Sequence, residues 1–235
     1  MTYTFHIKRQ ENSETQAYWQ DFTYTSDSHD SVASALLAIN ETTPLRDANG
    51  KETTPIGWQR SCLIRKCGAC AMRINGLPRL ACSTFLADLH TKTVILEPLG
   101  KFPVIHDLIV NRSVIYTMLQ DLSLWQEKGK EPSRWLLELH RQSARCLSCG
   151  CCLEICPNFT GQADFIGALG AVNAFRHLDT ETPSPHKEAM EKAYKTLHYD
   201  LCSQSLACQQ ICPASIPVED LIAHSTARAI WHTKR

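Results

Sequence analysis

The chain has 235 residues, its 24 Lys+Arg are balanced by 24 Asp+Glu, and it carries 12 cysteines. Zero net charge leaves no basic field to attract nucleic acid or anionic lipid, and no apolar run approaches the ~18 residues needed to span a bilayer. The length accommodates one large domain or two small ones, and two are expected.

Tyr3, Phe5 and Ile7 alternate with polar residues and read as one face of a first strand. The same stretch lacks the charged region, apolar core and cleavage site of a secretory signal. The chain is therefore expected in a reducing cytoplasmic setting, where regularly spaced cysteines bind metal more often than they form disulfides. Tyr18, Phe22 and Tyr24 share one face of a second strand, so a hairpin is the simplest pairing. Asp30 is expected to cap a helix in which Val32, Leu36 and Ile39 fall on one face. Thr93 to Leu96 supplies a β-branched closing strand. Pro98, Gly100 and Pro103 then punctuate the chain and set the expected boundary between a domain at 1-103 and one at 104-235.

Beyond that boundary Val104, Ile105, Leu108, Ile109, Ile115 and Leu119 repeat at helical spacing, with His106 opening the helix. Trp135 to Leu139 begins another helix running toward Cys146. Residues 179–191, with proline and charge, are expected as a surface loop. Pro217 followed by Glu219 and Asp220 starts a last helix, which carries His224. His106 and His224 are expected to be ordinary structural or surface residues, and Tyr116, Trp125 and Trp135 to be core or interface aromatics.

The cysteines fall into three groups. Cys62, Cys67 and Cys70 have the C-x4-C-x2-C spacing of a plant-type [2Fe-2S] site, with Cys82 arriving as the fourth thiolate. A loop wrapped round the cluster can aim three thiolates inward, and Gly68 lets backbone amides approach the sulfur. A zinc-binding interaction module is the non-redox alternative, but zinc ribbons pair two short knuckles, whereas this pattern is three plus one. Cys146, Cys149, Cys152 and Cys156, followed by Pro157, form the bacterial C-x2-C-x2-C-x3-C-P run, in which the fourth cysteine serves a different cluster. Cys202, Cys208 and Cys212, followed by Pro213, supply that second cluster. Exchange of the fourth cysteines assigns Cys146, Cys149, Cys152 and Cys212 to [4Fe-4S]. Cys156, Cys202 and Cys208 remain. Ser205 occupies the place where a symmetric ferredoxin has cysteine, and a hydroxyl is a poor iron ligand beside thiolate. The remaining three therefore fit [3Fe-4S], with a serine-ligated [4Fe-4S] as the rival. Cys151 is out of register and is expected to be a packed residue.

Arg60-Ser61-Cys62, Cys67-Gly68-Ala69-Cys70-Ala71-Met72-Arg73-Ile74-Asn75-Gly76 and Leu80-Ala81-Cys82 closely resemble the [2Fe-2S] segment of the succinate dehydrogenase/fumarate reductase iron-sulfur subunits. So do Glu97-Pro98-Leu99 and Pro103 to Leu108, and the later cysteine-proline runs continue the resemblance through nearly the whole chain. The resemblance implies an α+β chain: an N-terminal β-grasp [2Fe-2S] ferredoxin domain followed by an all-α [4Fe-4S]/[3Fe-4S] ferredoxin domain. It further implies an electron-transfer subunit of a succinate:quinone or quinol:fumarate oxidoreductase, placed peripherally on the cytoplasmic side of the bacterial membrane. Its partners would be a flavoprotein holding FAD and the dicarboxylate site, and a membrane anchor of cytochrome b type carrying any haem. The chain itself has no nucleotide-binding fingerprint, so the dicarboxylate chemistry is expected elsewhere. A soluble fumarate reductase or a heterodisulfide-reductase-like complex is the alternative setting.

Two departures bear on the acceptor. Ubiquinone-using relatives carry Trp shortly after the cysteine matching Cys156 and His after the one matching Cys202. Here residues 158–164 contain no Trp and position 203 is Ser, a pattern more like menaquinone-linked members. Arg65-Lys66 stands where many relatives have Glu-Gly, which adds positive charge beside the first loop.

Overall fold

The computed structural model describes residues 1–26 and 29–231, so the last residues of the expected second domain, 232–235, lie outside it. Two compact units emerge, Met1–Asn111 and Arg112–Arg235.

The first unit is built on a five-stranded sheet of order β2-β1-β5-β3-β4. Strands β1 (Thr2–Arg9) and β2 (Tyr18–Thr25) form the expected antiparallel hairpin, and β5 (Thr93–Glu97) lies parallel to β1. Strands β3 (Ala71–Ile74) and β4 (Leu77–Leu80) complete the other edge. Phe5, Ile7, Phe22, Ile74, Val94 and Leu96 are buried, whereas Tyr18 is exposed. Helix α1 (Val32–Glu41) adds Val32, Leu36 and Ile39 to the buried set. Its cap is Ser31 rather than Asp30: the Ser31 hydroxyl accepts the Ser34 N–H at 3.1 Å. Asp30 is occupied elsewhere, accepting from the hydroxyls of Tyr24 at 2.8 Å and Ser26 at 3.1 Å.

The helix expected from Val104 is instead a short hairpin, β6 (Val104–His106) and β7 (Ile109–Val110), so His106 ends a strand. Two forces select it. The segment is β-branched, and its turn residue Asp107 is drawn into the first unit. The Asp107 carboxylate accepts from Gln10 N–H at 2.9 Å and Gly57 N–H at 2.8 Å, and pairs with the buried Arg9 guanidinium at 3.0 Å. Arg9 in turn donates to Gln20, Thr54 and Pro55. The first compact unit consequently runs past residue 103.

The second unit is helical. Helix α2 spans Ser113–Asp121, α3 Leu137–Ser143, α4 Cys151–Ile155 and α5 Gly167–Thr180. Helix α6 covers Pro185–Tyr194 and continues into a π turn at Lys195–Tyr199; α7 (Ala207–Ile211) and α8 (Val218–Ala229) follow. The surface loop expected over 179–191 is thus mostly helix. Pro185 sits at the first helical position, where its missing N–H costs nothing, and Ser184 caps it by accepting the Lys187 N–H at 3.1 Å. Tyr116, Trp125 and Trp135 are exposed rather than core, and His224 lies on α8 as expected. Among the described residues no helix is long and apolar enough to cross a membrane.

Candidate metal centres

The first centre sits on an irregular loop that leads into β3. Leu63, Arg65 and Gly68 adopt left-handed backbone (φ 54°, 57° and 75°), and successive N–H groups in such turns form a concavity that attracts anions. Here they close on sulfur. The amides of Ile64 (3.5 Å) and Lys66 (3.2 Å) donate to Cys62 Sγ, and that of Ala69 (3.5 Å) to Cys67 Sγ. The Ile64 amide, followed by that of Lys66, holds the Cys62 thiol down at about 7, which favours the thiolate that metal binding requires. Cys67 hydrogen-bonds the same sulfur. Cys70 behaves oppositely: burial pushes it up to about 12, with Cys82 as its hydrogen-bonded neighbour. Cys82 is carried on a 3-10 turn, Ala81–Ser83, and is held close because the Ala81 N–H donates to the Cys70 carbonyl at 3.1 Å. The four thiols therefore stand as two pairs, Cys62 with Cys67 and Cys70 with Cys82.

The second unit brings its cysteines to two cavities. A tight one, of about 30 Å³, is lined by Cys146, Cys149, Cys152 and Cys212. A larger one, of about 310 Å³, is lined by Cys156, Cys202 and Cys208, with Ser205 also in its wall. Cys151 is fully buried beside the tight cavity and does not line it.

Repeated local geometry makes this exchange. Helices α4 and α7 are five residues each, each follows a left-handed residue (Gly150, φ 85°; Leu206, φ 55°), and each ends on an extended cysteine before proline. Cys156 and Cys212 are those end residues. Each leaves its own helix in extended backbone, so its thiol reaches the cavity filled by the opposite group.

Burial, then neighbouring thiols, raises Cys146, Cys152 and Cys208, whereas a hydrogen bond with Cys151 holds Cys149 down at about 7. Burial raises Cys146, and the charges of Cys149 and Cys212 add to the effect. Cys152 is driven well up by burial, then by Cys149, Cys146 and Cys212. In the larger cavity burial raises Cys208, with Cys156 and Cys202 adding to it. Thiolates crowded in this way need a bound cation to be stable, and all-thiolate sets of this kind are donors that suit iron-sulfur clusters. Among the described residues no three cysteine, histidine or carboxylate groups gather at the spacing of ligands to one metal ion. Neither two pairs of thiolates nor a cuboid with one thiolate per iron requires that spacing.

Several supporting residues gave no sequence signal. Asn173 of α5 directs its amide at Cys146 Sγ (3.8 Å), and Arg112 donates to the Cys149 carbonyl at 3.1 Å. Asn158 staples the walls of the larger cavity: its amide donates to the Leu201 carbonyl and its oxygen accepts from the Ser203 hydroxyl, both at 2.6 Å. The motif spacing locates thiols, but these partners sit at no fixed offset from them.

Residues 4–117 match the family described as a 2Fe-2S iron-sulfur cluster binding domain, and residues 142–216 that of a 4Fe-4S dicluster domain, which defines an iron-sulfur protein. The chain is 33% identical over 236 residues to the succinate dehydrogenase iron-sulfur subunit of Bacillus subtilis, covering 94% of this chain and 90% of that one. It is 32% identical over 178 residues to the fumarate reductase iron-sulfur subunit of Wolinella succinogenes, covering 69% and 73%. The fold is that of a chain in the Mycobacterium smegmatis Sdh1 complex in the apo form, with TM-score 0.78 at 19% identity over 99% of this chain and 97% of that one. This chain belongs to the family of succinate dehydrogenase and fumarate reductase iron-sulfur subunits.

Proposed function

We propose that the chain is the electron-transfer subunit of a succinate:quinone or quinol:fumarate oxidoreductase, relaying single electrons between the FAD of a flavoprotein and a membrane quinone site. The observation that carries this reading is the sorting of eleven cysteines into two pairs, a set of four and a set of three, while the twelfth, Cys151, lines neither cavity and hydrogen-bonds Cys149. Bound clusters supply one-electron redox chemistry. The two pairs suit the two irons of [2Fe-2S], on a first unit we read as a β-grasp ferredoxin domain. Cys146, Cys149, Cys152 and Cys212 suit [4Fe-4S]. Cys156, Cys202 and Cys208 suit [3Fe-4S], since Ser205 offers only a hydroxyl.

The remaining side chains bind, orient and exclude water. Leu147, Leu169 and Ile216 line the tight cavity, and Phe165, Leu206 and Ile222 the larger one, so apolar walls limit the access of water to thiols of which Cys149 is buried and the others half-buried. On this reading the flavoprotein carries the dicarboxylate site and a cytochrome b type anchor carries any haem. The chain sits peripherally on the cytoplasmic side of the membrane, and Ser203 with the Trp-free segment after Cys156 supports menaquinone as the acceptor.

Redox-poised EPR with metal analysis of the purified complex tests the reading. About nine irons per chain are expected, with a [2Fe-2S] signal on reduction and a [3Fe-4S] signal on oxidation. Ser205→Cys is expected to replace the oxidised three-iron signal with that of a lower-potential [4Fe-4S]. Zinc in place of iron would end the electron-transfer role, and purification only with soluble proteins would end the membrane setting.

A further inference from the structure

One polar side chain in the wall of the larger cavity is packed into the fold by its ring faces alone, with its polar atoms unused. His198 lines that cavity, is 1% exposed, and has no hydrogen-bond partner of sound geometry on either ring nitrogen. Buried donors are seldom left in this state, because an unmade hydrogen bond forfeits the full hydration of the N–H. Burial keeps the imidazole neutral, holding it down at about 4. The Gly167 carbonyl acts in the opposite sense, but neither ring nitrogen meets it at hydrogen-bond geometry, so the single N–H of the neutral ring is not committed there.

The ring is also held in place. Phe165 stacks on it at 5.9 Å between centroids and Tyr194 packs at 5.1 Å. The backbone beneath is the π turn Lys195–Tyr199, a rare conformation that gathers at functional sites. The His198 carbonyl accepts the N–H groups of Leu201 (3.1 Å) and Cys202 (2.9 Å), so the same residue fixes the start of the cysteine loop. Asn158 and Ser203, which also line this cavity, are turned on each other.

We propose that His198 is a positioning residue whose ring N–H donates to a sulfur of the group held by Cys156, Cys202 and Cys208, making that group easier to reduce. The proposal rests on the cluster reading given above. The physical effect is direct: a donor to cluster sulfur stabilises the reduced, more negative state.

The test uses the intact complex from cells supplied with 15N-histidine, with the oxidised three-iron signal examined by pulsed EPR. Among the described residues His198 is the one histidine in this cavity wall, so a weak 15N coupling with an exchangeable proton is expected. No 15N coupling, or one strong enough for direct ligation to iron, overturns the donor role. In the His198→Phe complex the coupling should vanish and the one-electron reduction equilibrium should fall about tenfold, equivalent to about 59 mV. His198→Gln, which keeps an N–H donor, should recover part of that fall. An unchanged midpoint in His198→Phe with a three-iron signal of normal amplitude overturns the proposal. If that variant loses the centre, the labelled unaltered complex decides. Failure of the ligand reading is distinct, because the three-iron signal would then be missing from the unaltered complex, and both proposals would fall together.

Discussion

The two compact units place cysteine differently in relation to their cores. In Met1–Asn111 the buried set is Phe5, Ile7, Leu36, Ile74 and Leu96, while Cys62, Cys67 and Cys82 lie on loops with at least partial exposure. In the second unit Cys146, Cys152, Cys208 and Cys212 pack directly against the cluster formed by Leu136, Val172, Phe175, Ile216 and Leu221. The first unit buries only one of its four thiols, Cys70, and leaves the other three partly exposed. The second packs its half-buried thiols against the core, so that ligands and apolar side chains share one interior.

This contrast predicts unequal responses to loss of a ligand. Cys212→Ala should have the largest effect: loss of the [4Fe-4S] signal, and with it loss of α-helical structure across the second unit, because metal binding there is coupled to folding. Cys67→Ala should abolish the [2Fe-2S] signal yet leave amide protection in β1 and β5. Equal loss of protection in both units would break the comparison. Circular dichroism and hydrogen exchange on the two variants read it directly.

The first unit should instead fail where its own buried charge is broken. Asp107→Ala strands the Arg9 guanidinium and should cost about 3–5 kcal/mol, measured as a fall in the urea midpoint of the first unit. A loss under about 1 kcal/mol would mean that Arg9 finds compensation from Gln20, Thr54 and Pro55. The smallest expected effect sharpens the comparison inside the second unit. Asn158→Ala removes two half-exposed hydrogen bonds, about 1–2 kcal/mol together, and should lower occupancy of the three-iron centre while sparing the four-iron one. Parallel EPR spin counts on both centres check this.

Much of the candidate site was legible because cluster ligation demands thiols at short fixed offsets, and those offsets survive in the sequence from Cys62 to Cys212. The strands were legible where alternation was long, as in Tyr3, Phe5 and Ile7. The segment from Val104 to Val110 was not, since a short β-branched run fits helical and extended periods alike, and its choice is made by Arg9, far away in sequence. Ser31 and Asp30 are both good caps, and only the competing hydroxyls of Tyr24 and Ser26 separate them. His198 was invisible for a related reason. A π turn has no residue signature, and the ring belongs to the cavity only after Lys195–Tyr199 has rotated it there.

The reciprocal ends of α4 and α7 also have a consequence for synthesis. On the ligand assignment proposed here, the set begun by Cys146, Cys149 and Cys152 cannot close until Cys212 has left the ribosome, and by then Cys156, Cys202 and Cys208 are available too. The two centres of the helical unit should therefore mature together and late. A truncated chain ending before α7 would lack Cys208 and Cys212 and so offer incomplete thiol sets at both.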